Sequence, residues 1–455
     1  MKKLGNSPEY LLAKRLIPND FPECDNYRDW FSHFQGNILH AFTGDEGSLI
    51  GFRFRSDSKV SERKKAIAHV SHQFLTSANY QHFSNRKDVE CNVLLSVQGY
   101  QMLGIPEQYW PRDHAFRTGL RLRGIGDIEV DQWETSYQEP IHFAFLLRAN
   151  ARKHIVQSIA EISQKIENVA SLDIQEAAGL KYNEDGKTIE AFGFVDGISQ
   201  PIFFESEMPS NQSQWDPSAQ ASLVLESEAA SECGFGSYLV YRKLAQDLIG
   251  FERAVDALVC GLNLDVSQRS YAEALIIGRF KDGTPLALAG EAGAVVTTDD
   301  FDYSTDIRGN RCPLQAHVRK MNPRGEVSNK FGVKPTQERL HRIVRRSLIY
   351  GDFEAANEEV GMLFCCFQSN ISAQFEVLQE AWANRTDFVQ PDAGLDPLIG
   401  QSPNVTQNDK METTNSWPME WNKEERTTVS LSQFVHLRGG EYFYLPSPDF
   451  FNNLI

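Results

Sequence analysis

The 455-residue sequence contains no apolar run long enough to cross a bilayer. Its opening, MKKLGNSPEYLLAKRLIP, has two lysines, but its one apolar stretch is short and broken by Ala13, Lys14 and Arg15, so the h-region of a secretory leader is missing. A cytoplasmic protein without membrane contact is therefore expected. The seven cysteines include no Cys-x-x-Cys pair, which removes the usual ligand spacing of a zinc site. Cys365 and Cys366 are adjacent, which on a strand puts them on opposite faces, and reduced, mostly buried thiols are expected. Positive charge is also scarce, with 45 Lys and Arg against 61 Asp and Glu and a net charge of −16, so general affinity for nucleic acid or anionic membrane is excluded.

What remains is ordinary globular composition, with 41% hydrophobic and 23% charged residues. The length exceeds what one hydrophobic core usually serves, so two domains or a duplicated one is expected. Ser48 to Arg55 alternates like a half-buried strand and is followed by an amphipathic helix. Ile141 to Ala149 reads as another strand, and Ile155, Ile159, Ile162 and Ile166 behind it recur at helical spacing. The second half repeats the theme with strands at Ser237 to Leu244 and Gly361 to Phe367. A helix from Ile249 to Leu262 follows the first of them, and a helix capped by Asn370 follows the second. The pattern is a duplicated α+β unit. The polar stretch Glu205 to Glu232 reads as a linker or surface insertion between the copies, and Gly400 to Glu425 as another excursion from the core.

Three segments hold residues suited to chemistry. Gly193-Phe194-Val195-Asp196-Gly197, followed by Ile198-Ser199-Gln200-Pro201, places a carboxylate between glycines, which permits unusual backbone angles and close ligand approach but also describes a common Asp-Gly turn. Ala316-His317-Val318-Arg319-Lys320-Met321-Asn322-Pro323-Arg324 contains a histidine that is a metal ligand or an ordinary surface residue. Read as a strand, Arg342-Ile343-Val344-Arg345-Arg346-Ser347-Leu348-Ile349-Tyr350-Gly351 aligns Ile343, Arg345, Ser347 and Ile349, either toward a site or as an edge strand with solvated arginines.

Together these segments resemble the dye-decolourising peroxidase (DyP-type) family. GFVDG is similar to its Gly-x-x-Asp-Gly signature, AHVRKMNPR to its proximal histidine segment, and RIVRRSLIYG to its distal arginine segment. FQGNIL, LLSVQGYQMLGI, GMLFCCFQSNISAQFEVLQEAW and GGEYFYLPS extend the resemblance, in family order, over nearly the whole chain.

The resemblance implies two ferredoxin-like α+β domains in a barrel-like arrangement. Residues 1–204 would form the first, 205–232 a linker, and 233–455 a heme-binding second domain. It also implies heme b, held without thioether links because no Cys-x-x-Cys-His is present. His317 would be the iron ligand, with Asp396 as the carboxylate on its other nitrogen. Asp196 would take the proton of hydrogen peroxide and return it to the leaving oxygen, and Arg345 would supply the cation for cleavage of the oxygen–oxygen bond.

Ser347 would hold a distal water. Leu363 and Phe367 would line the distal heme face unless they are plain core, and Arg319 would pair with a propionate unless it is a surface residue. Tyr350 and Trp382 would carry electrons from dyes, phenols or other small aromatic reductants, or be buried aromatics only. A homo-oligomer is compatible with all of this. The competing reading is a heme-binding or heme-trafficking protein without peroxidase turnover. A degenerate domain that has lost its heme is a third reading, against which His317 weighs.

Overall fold

The computed structural model describes residues 8–18, 27–84, 88–229, 231, 233–353, 358–401 and 412–454. The N-terminal half supplies strands β1 (Glu46–Phe54), β2 (Val89–Leu95), β3 (Phe143–Ala149) and β4 (Ala170–Gly179). Helix α1 (Val60–Phe74) joins β1 to β2, and α2 (Arg152–Ile166) joins β3 to β4. The four isoleucines at helical spacing in α2 are all buried, so its stripe is what seats it on the sheet.

The C-terminal half supplies β5 (Phe235–Gln246), the short β6 (Val344–Arg345) and β7 (Leu348–Tyr350), β8 (Gly361–Gln368) and β9 (Val435–Leu445). It also carries α3 (Leu248–Gly261), α4 (Arg269–Ile277) and the five-residue α5 (His317–Met321). With the short β6 set aside, each half places its first and third strands at the centre, as β2-β3-β1-β4 and β9-β5-β8-β7, with every pairing antiparallel. That is the ferredoxin-like order twice, and the α+β duplication expected from the sequence is present.

The two sheets meet at both edges. Tyr444 of β9 pairs with Leu95 of β2, and Ile349 of β7 with Gly179 of β4, closing eight strands into a ring. Closure leaves the unpaired edge groups of neither sheet open. One hydrophobic core runs through both halves, from Leu49, Phe145 and Leu147 to Leu239, Tyr241, Leu363 and Phe367. A second core, around Phe251, Leu258, Leu275 and Trp417, packs α3 and α4 on the C-terminal half.

Segment 205–232 departs from the linker expectation. Ala221, Leu223, Val224 and Leu225 are buried, Glu226 and Ser227 pair with Gly236 and Phe235 of β5, and Ile202 bridges Ser218. Its Ser and Gln content read as solvent-facing, yet the apolar run at its C-terminal end is core. In the second polar stretch, residues 402–411 lie outside the described residues, while Glu412–Pro418 pairs with Arg426–Ser432 in a hairpin.

Two carboxylates near the end of that segment are half-buried. Glu226 accepts from the Tyr238 hydroxyl at 2.7 Å, and Glu228 from the backbone N–H (2.8 Å) and hydroxyl (2.5 Å) of Ser447, which caps the helix Pro448–Asn452. Burial pushes both up to about 7 from an ordinary value of 4.5. A raised folded-state value means the folded protein holds these protons more tightly than the unfolded chain. The stabilisation is complete below about 4.5 and is lost as pH rises through 7. Melting temperature should therefore fall between pH 5 and 8, and Glu228→Gln, a neutral isostere, should flatten that slope when Tm is measured across the range.

Candidate active site

One face of the C-terminal sheet opens on a cavity of about 270 Å³ whose walls are mostly apolar. Strand β5 contributes Arg242, Leu244 and Gln246, β8 contributes Met362 and Phe364, and the chain around β6 contributes Arg342, Ile343, Arg345 and Ser347. His317, Val318 and Met321 of α5 line it as well. Leu378 and Gln379 enter from the π-helix Val377–Ala383, and Leu398 and Ile399 from the loop beyond it.

Asp196 arrives from the N-terminal half. Gly193 and Gly197 have φ of 91° and 82°, angles that glycine adopts without strain, so the loop turns at both ends of the carboxylate. Asp196 Oδ1 accepts from the Gly197 backbone N–H at 2.7 Å and from Arg345 Nη1 at 2.9 Å. The residues that follow strap the arginine in place. The Gln200 side-chain amide donates to the Arg345 carbonyl (3.1 Å) and accepts from its N–H (3.2 Å), while Arg345 Nη2 donates to the Ser199 carbonyl (3.4 Å). Asp196 and Arg345 are thus brought together, each about a third exposed, on the cavity wall. Ser347 also faces the cavity, and its hydroxyl accepts from the Cys365 N–H at 3.3 Å.

His317 opens α5. Its Nδ1 lies 2.8 Å from Oδ2 of Asp396, which has no exposed surface, so the other ring nitrogen is left for a ligand in the cavity. The remaining oxygen of Asp396 accepts from the backbone N–H groups of Leu398 (2.8 Å) and Ile399 (3.1 Å).

Other expected site residues fall elsewhere. Leu363 and Phe367 do not line the cavity; they face the core between the sheets, and the cavity takes their neighbours Met362 and Phe364. GMLFCCF is apolar at every position, so alternation gave no parity to read. Arg319 is corrected too. It is buried and does not line the cavity, and it donates to Glu326 (2.9 and 2.5 Å), Asp306 Oδ2 (3.0 Å) and the Cys312 carbonyl (2.6 Å). Tyr350 is buried on the barrel side, its hydroxyl donating to Glu359 at 2.9 Å and its ring 5.2 Å from Lys243 Nζ. Trp382 stacks on Phe388 at 5.0 Å, close behind the cavity residues Leu378 and Gln379.

The sequence reading missed a cluster of cations. Arg279 and Arg342 line the cavity, and Arg279 shares the carboxylate of Asp299 with the buried Arg324. Among the described residues, Arg342 donates to oxygens of the peptide chain only, those of Arg339, Pro217 and Ser218, and Asp216 is occupied by Arg15 and Arg339. Burial pushes Arg279 and Arg342 down to about 10. Three guanidinium groups against one carboxylate leave an excess of positive charge, which a ligand carrying two carboxylates would neutralise. On the β5 side, Arg242 is paired with Asp127 but leaves Nη1 buried without a partner. An apolar cavity with a carboxylate-backed histidine on its wall and excess cations beside it fits a heme with its propionates.

Comparison with known proteins agrees. The sequence profile of the C-terminal part of Dyp-type peroxidases matches residues 271–393. The multifunctional dye peroxidase DyP2 of Amycolatopsis sp. is 35% identical over 390 residues, which are 79% of this chain and 81% of that protein. The dye-decolorizing peroxidase msp1 of Mycetinis scorodonius is 29% identical over 391 residues, 78% and 74% of the two chains. Among solved structures, a DyP-type peroxidase of Anabaena sp. superposes with a TM-score of 0.88 at 33% identity, covering 97% of this chain and 98% of that one. By its sequence, its fold and the cavity that joins His317 to Asp196 and Arg345, the chain belongs to the DyP-type peroxidases, heme enzymes that use hydrogen peroxide to oxidise a reducing substrate.

Proposed function

We propose that the cavity holds heme b, with His317 Nε2 on the iron and Asp396 holding the Nδ1 proton, and that Asp196 and Arg345 activate hydrogen peroxide on the other face. The observation that carries this reading is the convergence of the His317–Asp396 and Asp196–Arg345 pairs on one apolar cavity. Bound heme supplies the iron at which the oxygen–oxygen bond is broken and the oxidising equivalents are kept.

The chain's own residues do the rest. Asp196 takes the peroxide proton and delivers it to the departing oxygen, and its hydrogen bond from Arg345 keeps the carboxylate aimed. Arg345 places a fixed cation where negative charge grows. Met362 and Phe364 exclude water from one wall, Leu378, Leu398 and Ile399 from another. Ser347 holds a water near the acid–base pair. Asp396, anchored by two backbone donors, keeps His317 in one tautomer. Arg342 and Arg279 hold the propionates in place of Arg319. The reductants are dyes, phenols or other small aromatics, and those too large for the cavity deliver electrons through Tyr350 or Trp382.

The test is the absorption spectrum of the heme-loaded protein before and after one equivalent of hydrogen peroxide. A spectrum two electrons more oxidised, reversed by a phenol, is expected; an unchanged spectrum would favour the carrier reading. Arg342→Gln, which keeps a donor but removes the charge, should weaken heme affinity by about tenfold or more, as expected for loss of a charged hydrogen bond. Heme titration of the apoprotein measures it.

A further inference from the structure

Lys320 is three residues beyond His317 on α5 and has no exposed surface. A lysine this deep is unusual and calls for a compensating partner. Its ammonium donates to the carbonyls of Trp382 (3.1 Å) and Arg385 (2.6 Å), at and just beyond the end of the π-helix. The same ledge holds Asp396, whose backbone N–H donates to the Ala383 carbonyl at 3.1 Å. One turn of chain thus fixes the lysine head and the carboxylate behind His317.

We propose that Lys320 is a positioning residue that sets how strongly His317 donates to the heme iron, by acting on the Asp396 carboxylate with a buried positive charge. The inference rests on the heme reading above. Asp396 draws on the Nδ1 proton of His317, which makes the ring a richer donor and favours oxidised iron. A buried cation on the same ledge attracts the negative charge of that carboxylate and so moderates the pull.

The charges acting on Lys320 are Asp396 first and Asp387 second, and the Phe388 ring lies 5.4 Å from Nζ. Asp387 is exposed and already paired with Arg385, so Asp396 is the carboxylate on which the lysine can act in a low dielectric. Burial pushes the lysine down to about 8, which leaves it charged in mildly acidic solution.

The experiment uses the heme-loaded full chain at about pH 6, two units below that value. Lys320→Gln keeps a donor for the two carbonyls without the charge, and Lys320→Met removes both. The readouts are the iron–histidine stretching frequency of the reduced protein and the iron midpoint potential. Both neutral variants should raise the frequency and lower the potential, whereas Lys320→Arg should stay near the parent values. In an Asp396→Asn background the lysine substitution should change neither readout, because the carboxylate through which it acts is gone.

An unchanged frequency and potential in Lys320→Gln, with only a lower melting temperature, would make the lysine a structural tie and overturn the proposal. Loss of heme loading in both neutral variants while Lys320→Arg loads normally would do the same. An iron–histidine band that survives His317→Ala would instead overturn the assignment of the ligand, so the two failures are distinguishable.

Discussion

Replacing Arg345 by leucine is expected to slow the reaction with hydrogen peroxide by about a hundredfold or more, the scale seen when a fixed donor to a developing anion is removed. Asp196→Asn should cost less. The geometry explains the asymmetry. Arg345 donates to Asp196 Oδ1, so its loss removes the cation and also releases the carboxylate from one of its two donors. Asparagine at 196 removes proton transfer alone, and a water in the cavity can stand in for part of it. Stopped-flow mixing of each heme-loaded variant with peroxide measures the second-order rate constant. A leucine variant as fast as the parent, or slower asparagine than leucine, would take the arginine out of this role. Gln200 offers a graded check, because it touches the Arg345 backbone rather than its charge.

His317→Ala is expected to abolish iron–histidine ligation and with it stable heme retention. Among the described histidines, His317 is the one that lines the cavity, and its Nδ1 is held by a carboxylate without exposed surface. The alanine variant leaves a small space beside Asp396. Free imidazole should enter it and restore the parent spectrum in part, since Asp396 remains in place to orient the ring. Rescue in His317→Ala but not in the double variant with Asp396→Asn would tie the two residues together. Retention of the parent spectrum by the alanine variant without imidazole would move the ligand elsewhere.

Much of this site was legible before any coordinates. Ile343, Arg345 and Ser347 share the cavity wall at the two-residue spacing read from the sequence, whereas Ile349 turns into the core and Arg342 joins the wall, because the segment breaks into two short strands. Asp196 stood out between two glycines that the structure gives positive φ. Parity failed at β8, where both faces are apolar because one meets the core and the other the cavity. Arg319 misled for a related reason. A basic residue two positions past a ligand looks available for a propionate, yet the sequence carries no trace that Asp306 and Glu326 converge on it from opposite sides along the chain. Arg279, Arg324 and Arg342 are far apart in sequence, and only the fold reveals that the first two share Asp299 and that Arg342 joins Arg279 on the cavity wall. At the level of the fold, the two strand–helix units were readable from periodicity, whereas ring closure depends on two single-residue pairings that leave no pattern.

That closure also bears on how the chain becomes an enzyme. The loop with Asp196 follows β4, so a ribosome releases the proton-handling residue with the first ferredoxin-like unit, well before His317 and Arg345 exist. The second unit, made alone, would carry the iron ligand and the cation without the acid. Each unit alone would also leave the outer strands of its sheet unpaired and prone to joining foreign strands, since β4 finds β7 and β2 finds β9 only when both are present. On the roles proposed for Asp196, His317 and Arg345, ring assembly would license peroxide chemistry, which would begin only once both units have sealed each other's edges.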